Sequence, residues 1–166
     1  MVIDRRLIMK KKTTTIVFAV LVICAILLGF LFINKEDGPV IGMVLADTAL
    51  NDIKAYDDAT QTKDDGVFLI VSNAFNTYQE DYKAGIPEGK DLYASVHFVE
   101  CPKGAKYIGK WIKEGAAIGE ETKATQTAPE SVVSYMLEGD GISKGEYTFE
   151  LHDGGKVIFT KTFIVE

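Results

Sequence analysis

Glu146–Val165 reads EYTFELH, then DGGK, then VIFTKTFIV, and this stretch decides the fold. Tyr147, Phe149 and Leu151 alternate with polar residues, so a β-strand puts all three on one face. Asp153-Gly154-Gly155-Lys156 is a tight hairpin signal, because the favoured two-residue turns need positive φ and glycine supplies it without a Cβ penalty. Beyond the turn, Val157, Phe159, Phe163 and Val165 are expected on one face of a closing strand. Two amphipathic strands joined this way need a second apolar layer to cover them.

Working upstream, four more stretches carry the same pattern of β-branched and aromatic residues between Gly, Pro and Asp clusters. Ser131–Leu137 (SVVSYML) gathers Val133, Tyr135 and Leu137. Lys106–Lys113 (KYIGKWIK) gathers Tyr107 and Trp111, and Glu114-Gly115 ends it. Asp91–Glu100 (DLYASVHFVE) alternates Leu92, Ala94, Val96 and Phe98 against Tyr93, Ser95, His97 and Val99, and Pro102-Lys103-Gly104 turns the chain. Val67–Ser72 (VFLIVS) follows the turn Asp64-Asp65-Gly66. Six or seven short strands with regular turns predict an antiparallel β-sandwich. Burying about ten apolar side chains between two sheets is worth roughly 1.5–3 kcal/mol each before entropy. Asp47–Thr60 reads equally as a short helix capped by Asp47 or as a first strand.

The stretch Leu92–Val165 resembles immunoglobulin- or fibronectin-III-like modules of bacterial and archaeal surface proteins. The matching features are the Tyr-Ala-Ser-Val strand, Trp111 in the next strand, Gly145-Glu146-Tyr147, and a last strand ending Phe163-Ile164-Val165. The resemblance implies an immunoglobulin-like fold, with Tyr147 in the place of a tyrosine-corner residue whose hydroxyl bonds nearby backbone. It implies no ligand-binding position, and the cysteine pair of antibody domains is absent.

Ahead of the strands, Ile16–Ile33 (IVFAVLVICAILLGFLFI) is 18 residues without a charge or a polar face. At about 1.5 Å per residue it spans roughly 27 Å, close to the ~30 Å of a bilayer core, and Thr13–Thr15 can extend it. Arg5, Arg6 and Lys10–Lys12 precede the run, whereas Glu36 and Asp37 follow it. The positive-inside rule orients such a chain with its N-terminus in the cytosol. The expected organisation is a cytosolic tail (1–12), a transmembrane helix (13–33), a juxtamembrane linker (34–42) and an extracytoplasmic domain (43–166). A cleaved signal peptide is the rival, but the run exceeds an ordinary h-region and no small-x-small site follows it closely. Ala25 and Gly29 form a small-xxx-small pair on which a second helix of a membrane complex can seat.

Residues 34–166 carry 13 basic and 23 acidic residues, a net charge of −10. That balance argues against nucleic acid, which is held through phosphate neutralisation by Lys and Arg. Cys24 lies in the apolar run and Cys101 precedes Pro102, so no disulfide is expected. Gly141-Ile142-Ser143-Lys144-Gly145 matches G-x-S-x-G, but a turn precedes it and a strand follows, the reverse of a nucleophile elbow. His97 and His152 are isolated, on the strand face opposite the apolar stripe, and read as solvated or edge histidines. Asp57-Asp58, Asp64-Asp65, Asp140 and Asp153 sit in turns, where Asp serves local hydrogen bonding, and none has EF-hand spacing. Phe75, Tyr78 and Tyr82, in the polar stretch Asn73–Lys90, are the candidate binding-surface aromatics; alternatively, Phe75 and Tyr78 cover one end of the core. The sequence thus predicts a non-enzymatic, single-pass protein of the cell membrane without catalytic, cofactor or metal residues. Its external sandwich would bind or scaffold a protein, an envelope polymer or another copy. Alternatives are an accessory subunit of a membrane complex, or a secreted binding protein or hydrolase after signal cleavage.

Overall fold

The computed structural model describes residues 38–62, 65–74 and 77–166. The expected tail and transmembrane helix lie outside the described residues, and among those described no helix is long and apolar enough to cross a membrane.

Among the described residues, nine strands form two antiparallel sheets. The first contains β1 (Val40–Ala46), β2 (Val67–Ala74), β3 (Thr77–Tyr82), β4 (Leu92–Phe98) and β7 (Ser131–Leu137), in the order β3-β2-β1-β4-β7. The second contains β5 (Lys106–Lys113), β6 (Ala116–Ala124), β8 (Gly145–Asp153) and β9 (Lys156–Val165), in the order β6-β5-β8-β9. The all-β sandwich read from the sequence is therefore present, with more strands than the six or seven expected. One helix, α1 (Ile53–Gln61), joins β1 to β2.

The quoted hairpin forms with Asp153 opposite Lys156, and Gly154 and Gly155 take φ of 54° and 91°. Tyr147, Phe149 and Leu151 are buried, as are Phe159, Phe163 and Val165. Val157 departs from the expected stripe and is exposed. A bulge is the reason: Leu151 faces Phe159 while His152 faces Val157, so Ile158 is the extra residue and the alternation slips by one.

Between the sheets, Trp111 packs on Phe149 (ring centroids 4.9 Å apart), and Tyr135 lies 5.6 Å from the same ring. Tyr135 comes so close to β5 that a Cβ on Gly109 would sit 2.4 Å from its ring, which explains the glycine opposite it. At the start of β8, the Tyr147 hydroxyl donates to the Ser143 carbonyl (2.8 Å) and accepts from the Ser143 N–H (3.1 Å). This fixes the turn containing G-x-S-x-G. The Ser143 side chain is bonded by Lys113 and is exposed at a bend leading into a strand.

Three strands were not anticipated. Val40–Gly42, read as linker, belongs to β1. This central strand is apolar on both faces because both are covered, so it carries no alternation. β3 and β6 are edge strands rich in charged and small residues, as edges commonly are. The segment 47–60 resolves to a strap followed by α1, and the cap is Asp52 rather than Asp47. Asp52 has extended backbone, and its Oδ1 accepts from the Ala55 N–H at 2.7 Å.

Candidate functional site: a groove between the helix and an edge strand

The outer face of the first sheet is not solvated. Val44 and Ala46 of β1, Val67 and Ile70 of β2, and Val132 of β7 form a second apolar cluster with Leu50, Tyr56 and Ala59. The strap is fastened by two serines that face each other on β4 and β7. The Leu50 N–H donates to Ser95 Oγ (3.2 Å), and Ser134 Oγ donates to the Leu50 carbonyl (2.7 Å). Ser134 has one hydroxyl proton and spends it on that carbonyl. Ser95 must therefore be the donor in the 2.8 Å contact between the two hydroxyls, which closes a ring.

This cover corrects the reading of His97 as solvated. His97 does face away from the inner core, but α1 lies over it, and the residue is only 6% exposed. The Tyr56 ring meets it edge-on, with centroids 5.0 Å apart. The Tyr56 hydroxyl reaches across Gly42, where a Cβ would stand 2.5 Å from that oxygen and 2.8 Å from the Val71 carbonyl. Burial, with a smaller contribution from Asp57, pushes the Tyr56 hydroxyl well above its ordinary pKa, so it remains a neutral O–H. His152 is the more ordinary of the two histidines: its Nε2 lies 2.9 Å from Glu150 Oε2 on the same strand.

Between α1 and β3 the cover leaves an open groove of about 630 Å³. Tyr56, Asp57 and Thr60 form the helix wall, and Gln79, Glu80 and Asp81 form the β3 wall. Ile41, Ile70, Ser72, Asn73 and His97 complete the lining. Ile41 is lifted by a bulge between Val40 and Gly42 and is exposed. Glu80 is paired with Lys161, and Asp81 lies 3.1 Å from Lys83. Two buried atoms of the lining have no hydrogen bond, Asn73 Oδ1 and His97 Nε2. Glu130 Oε2 lies 3.5 Å from His97 Nε2, which counts as an ion pair only when the imidazole is protonated. No hydrogen bond joins the two.

The sequence-selected aromatics lie elsewhere. Tyr78 sits edge-on to Phe159 (5.1 Å) and donates to the Val40 carbonyl (3.2 Å), on the inner side of β3. Tyr82 is exposed, with Lys161 Nζ 5.9 Å from its ring centroid. Neither lines the groove, and Phe75 lies outside the described residues. The groove residues missed from sequence, Tyr56 and His97 above all, gave little signal, since each looks polar and solvated until the helix is placed over the sheet. Among the described residues no three potential metal ligands come together.

No family model matches this chain. No curated protein matches it either.

Proposed function

We propose that this chain is a single-pass membrane protein whose extracytoplasmic, immunoglobulin-like sandwich is a non-enzymatic binding module. The anchor part of the reading rests on the uncharged run Ile16–Ile33 and its basic N-terminal flank. The immunoglobulin-like part is supported by strand order: β1-β4-β7 facing β5-β8-β9 corresponds to the A-B-E and C-F-G strands of that fold. On this mapping β6 is an added edge beside β5, and the hairpin β2–β3 is an insertion after the first strand. The Tyr147 hydroxyl on the Ser143 backbone fits the tyrosine corner of such folds.

The observation that carries the binding role is the groove. A helix and an edge strand flank an open concavity lined by carboxylates and by two buried polar side chains, Asn73 and His97, each with an atom that makes no hydrogen bond. Buried polar atoms are normally satisfied, and clefts with a few convergent polar groups are where ligands sit. Recognition would be by surface complementarity, without covalent chemistry. A photo-crosslinking residue at Thr60, on the groove wall, is expected to capture a defined partner in intact membranes, while one at Thr162, on β9, is not. Equal capture at both positions, or recovery of the full-length chain in a carbonate-washed soluble fraction, would sink the reading.

A further inference from the structure

We propose, resting on the membrane-anchored reading, that β3 is a homotypic edge: two copies on one membrane pair their β3 strands antiparallel about a two-fold axis at Glu80. β3 ends the first sheet and is exposed along its whole length. The Lys83 N–H donates to the Phe68 carbonyl of β2 (2.9 Å). Backbone groups alternate along a strand, so those of Asp81 and Gln79 also turn to β2, and those of Glu80 and Tyr82 turn away from it. A bare edge of this kind is a template for another strand.

Symmetry points to the occupant. A strand that pairs with its own copy about a two-fold axis meets its own sequence reversed. Tyr78-Gln79-Glu80-Asp81-Tyr82 reads nearly the same in both directions. Centred on Glu80, each Tyr78 faces Tyr82 of the second copy, and each Gln79 amide can donate to the Asp81 carboxylate of the second copy. In the other sheet, Val157–Val165 (VIFTKTFIV) reads identically from either end about Lys161. Lys161 is the residue paired with Glu80, so the two centres meet. An axis there sets like against like in both sheets. β9 adds no ladder of its own, because the Ile86–Val165 bridge closes its far end.

Charge is the usual guard on such an edge. Here it is neutralised within each chain, at Glu80 by Lys161 and at Asp81 by Lys83. The opposed Glu80 side chains then belong to an alternating set of two glutamates and two lysines. Of the six exposed large apolar side chains among the described residues, four (Tyr78, Tyr82, Val157 and Ile164) are on β3 and β9, which favours a protein contact at this rim. A six-residue edge buries less than the roughly 1,200 Å² of a stable free dimer. The pairing therefore needs two chains tethered side by side, as Ile16–Ile33 would hold them.

The test uses the full chain with Cys24→Ala in phosphatidylcholine vesicles. Gln79→Cys and Asp81→Cys are placed in chains carrying different tags. Across this pairing Gln79 and the Asp81 of the second copy lie about 4.5 Å apart at Cα, inside disulfide reach, whereas Gln79 lies about 8 Å from its own counterpart, outside it. Under mild oxidation, vesicles holding both variants should give at least about ten times the linked dimer of vesicles holding either alone. Glu80→Pro removes an N–H that faces away from β2, so the hairpin keeps its ladder. Added to both variants, it should lower linking about tenfold, while Glu80→Ala, which also loses the Lys161 pair but keeps the N–H, should stay within about threefold. Equal linking in mixed and single vesicles, no linking in the mixture, or equal linking in the Pro and Ala variants overturns the inference. The mixed-against-single comparison needs no substitution at Glu80 and stands if one misfolds. Carbonate separates the two readings: a chain that stays in the vesicles but does not link loses the self-pairing alone, whereas a chain that carbonate extracts loses the anchor and the pairing with it.

Discussion

The smallest unit that sets the groove is a pair of hydroxyls. Ser95 and Ser134 satisfy both backbone polar groups of one residue, Leu50, and each is itself buried. Removing either leaves a buried N–H or C=O without a partner, at a cost of about 1–3 kcal/mol. Ser95→Ala and Ser134→Ala should each lower the urea midpoint accordingly, and the double variant should cost clearly less than the sum because one ring is broken once. Additive losses would mean that the two hydroxyls act separately. Gly42→Ala tests the neighbouring contact. Its Cβ meets both the Tyr56 hydroxyl and the Val71 carbonyl, and the carbonyl belongs to a paired strand that cannot retreat. A loss of about 1–3 kcal/mol is expected, and Tyr56→Phe in the same chain should recover only part of it. Full recovery would show that the backbone contact is harmless. Neither the serine ring nor Gly42 was legible in the sequence. Both depend on what lies above the sheet, and a serine in an alternating strand looks like the solvated face.

At the scale of elements, legibility follows covering. β5, β8 and β9 pair one buried face with a more exposed one, and β4 and β7, though buried on both, keep polar side chains such as Ser95, His97 and Ser134 on the outer face, so the period of two shows all five in sequence. β1 is covered on both sides, by the inner core at Met43 and Leu45 and by the strap and helix at Val44 and Ala46, so the alternation that marks a strand is erased. β3 and β6 fail for the opposite reason, since little of either is covered. The helix is short and weakly patterned, and its nine residues depend on the cap and on Tyr56 and Ala59 packing beneath it. Asp52→Ala should therefore cost about 0.5–2 kcal/mol, concentrated in α1. Amide exchange should accelerate across Ile53–Gln61 and stay slow in β5 and β8. Uniform acceleration through the sheets would mean that the helix and the sandwich unfold only together. The exposed Lys54–Asp58 pair on the same helix contributes little, because a solvated i,i+4 pair is screened.

Across the whole molecule two apolar layers share the first sheet, and each contains a tyrosine whose hydroxyl is held neutral. Tyr56 lies in the outer cluster and Tyr135 in the inner core, and burial is the leading cause of the raised pKa at both. Nearby carboxylates, Asp57 and Glu121 respectively, push in the same direction. The unfolded chain releases these protons near the ordinary tyrosine value of 10.0, but the folded chain keeps them to higher pH. Above that value the unfolded state binds fewer protons than the folded one, so stability falls as pH rises, by up to about 1.4 kcal/mol per pH unit for each tyrosine. Below it the contribution is fully present. Cys101 adds to the loss from a lower starting point, since burial raises its thiol above 9.0. Urea midpoints of the full chain in micelles should therefore be flat near neutral pH and drop steeply between about pH 10 and about pH 11. Tyr56→Phe should make that drop shallower while sparing the inner core. Tyr135→Phe should do the same at small cost near neutrality, because its hydroxyl makes only a 3.5 Å contact with the Tyr107 carbonyl. If neither substitution changes the alkaline slope, the hydroxyls of Tyr56 and Tyr135 are not what links the two layers to pH, and the loss comes from other groups that give up protons there, Cys101 and Tyr107 among them, whose pKa values burial also raises.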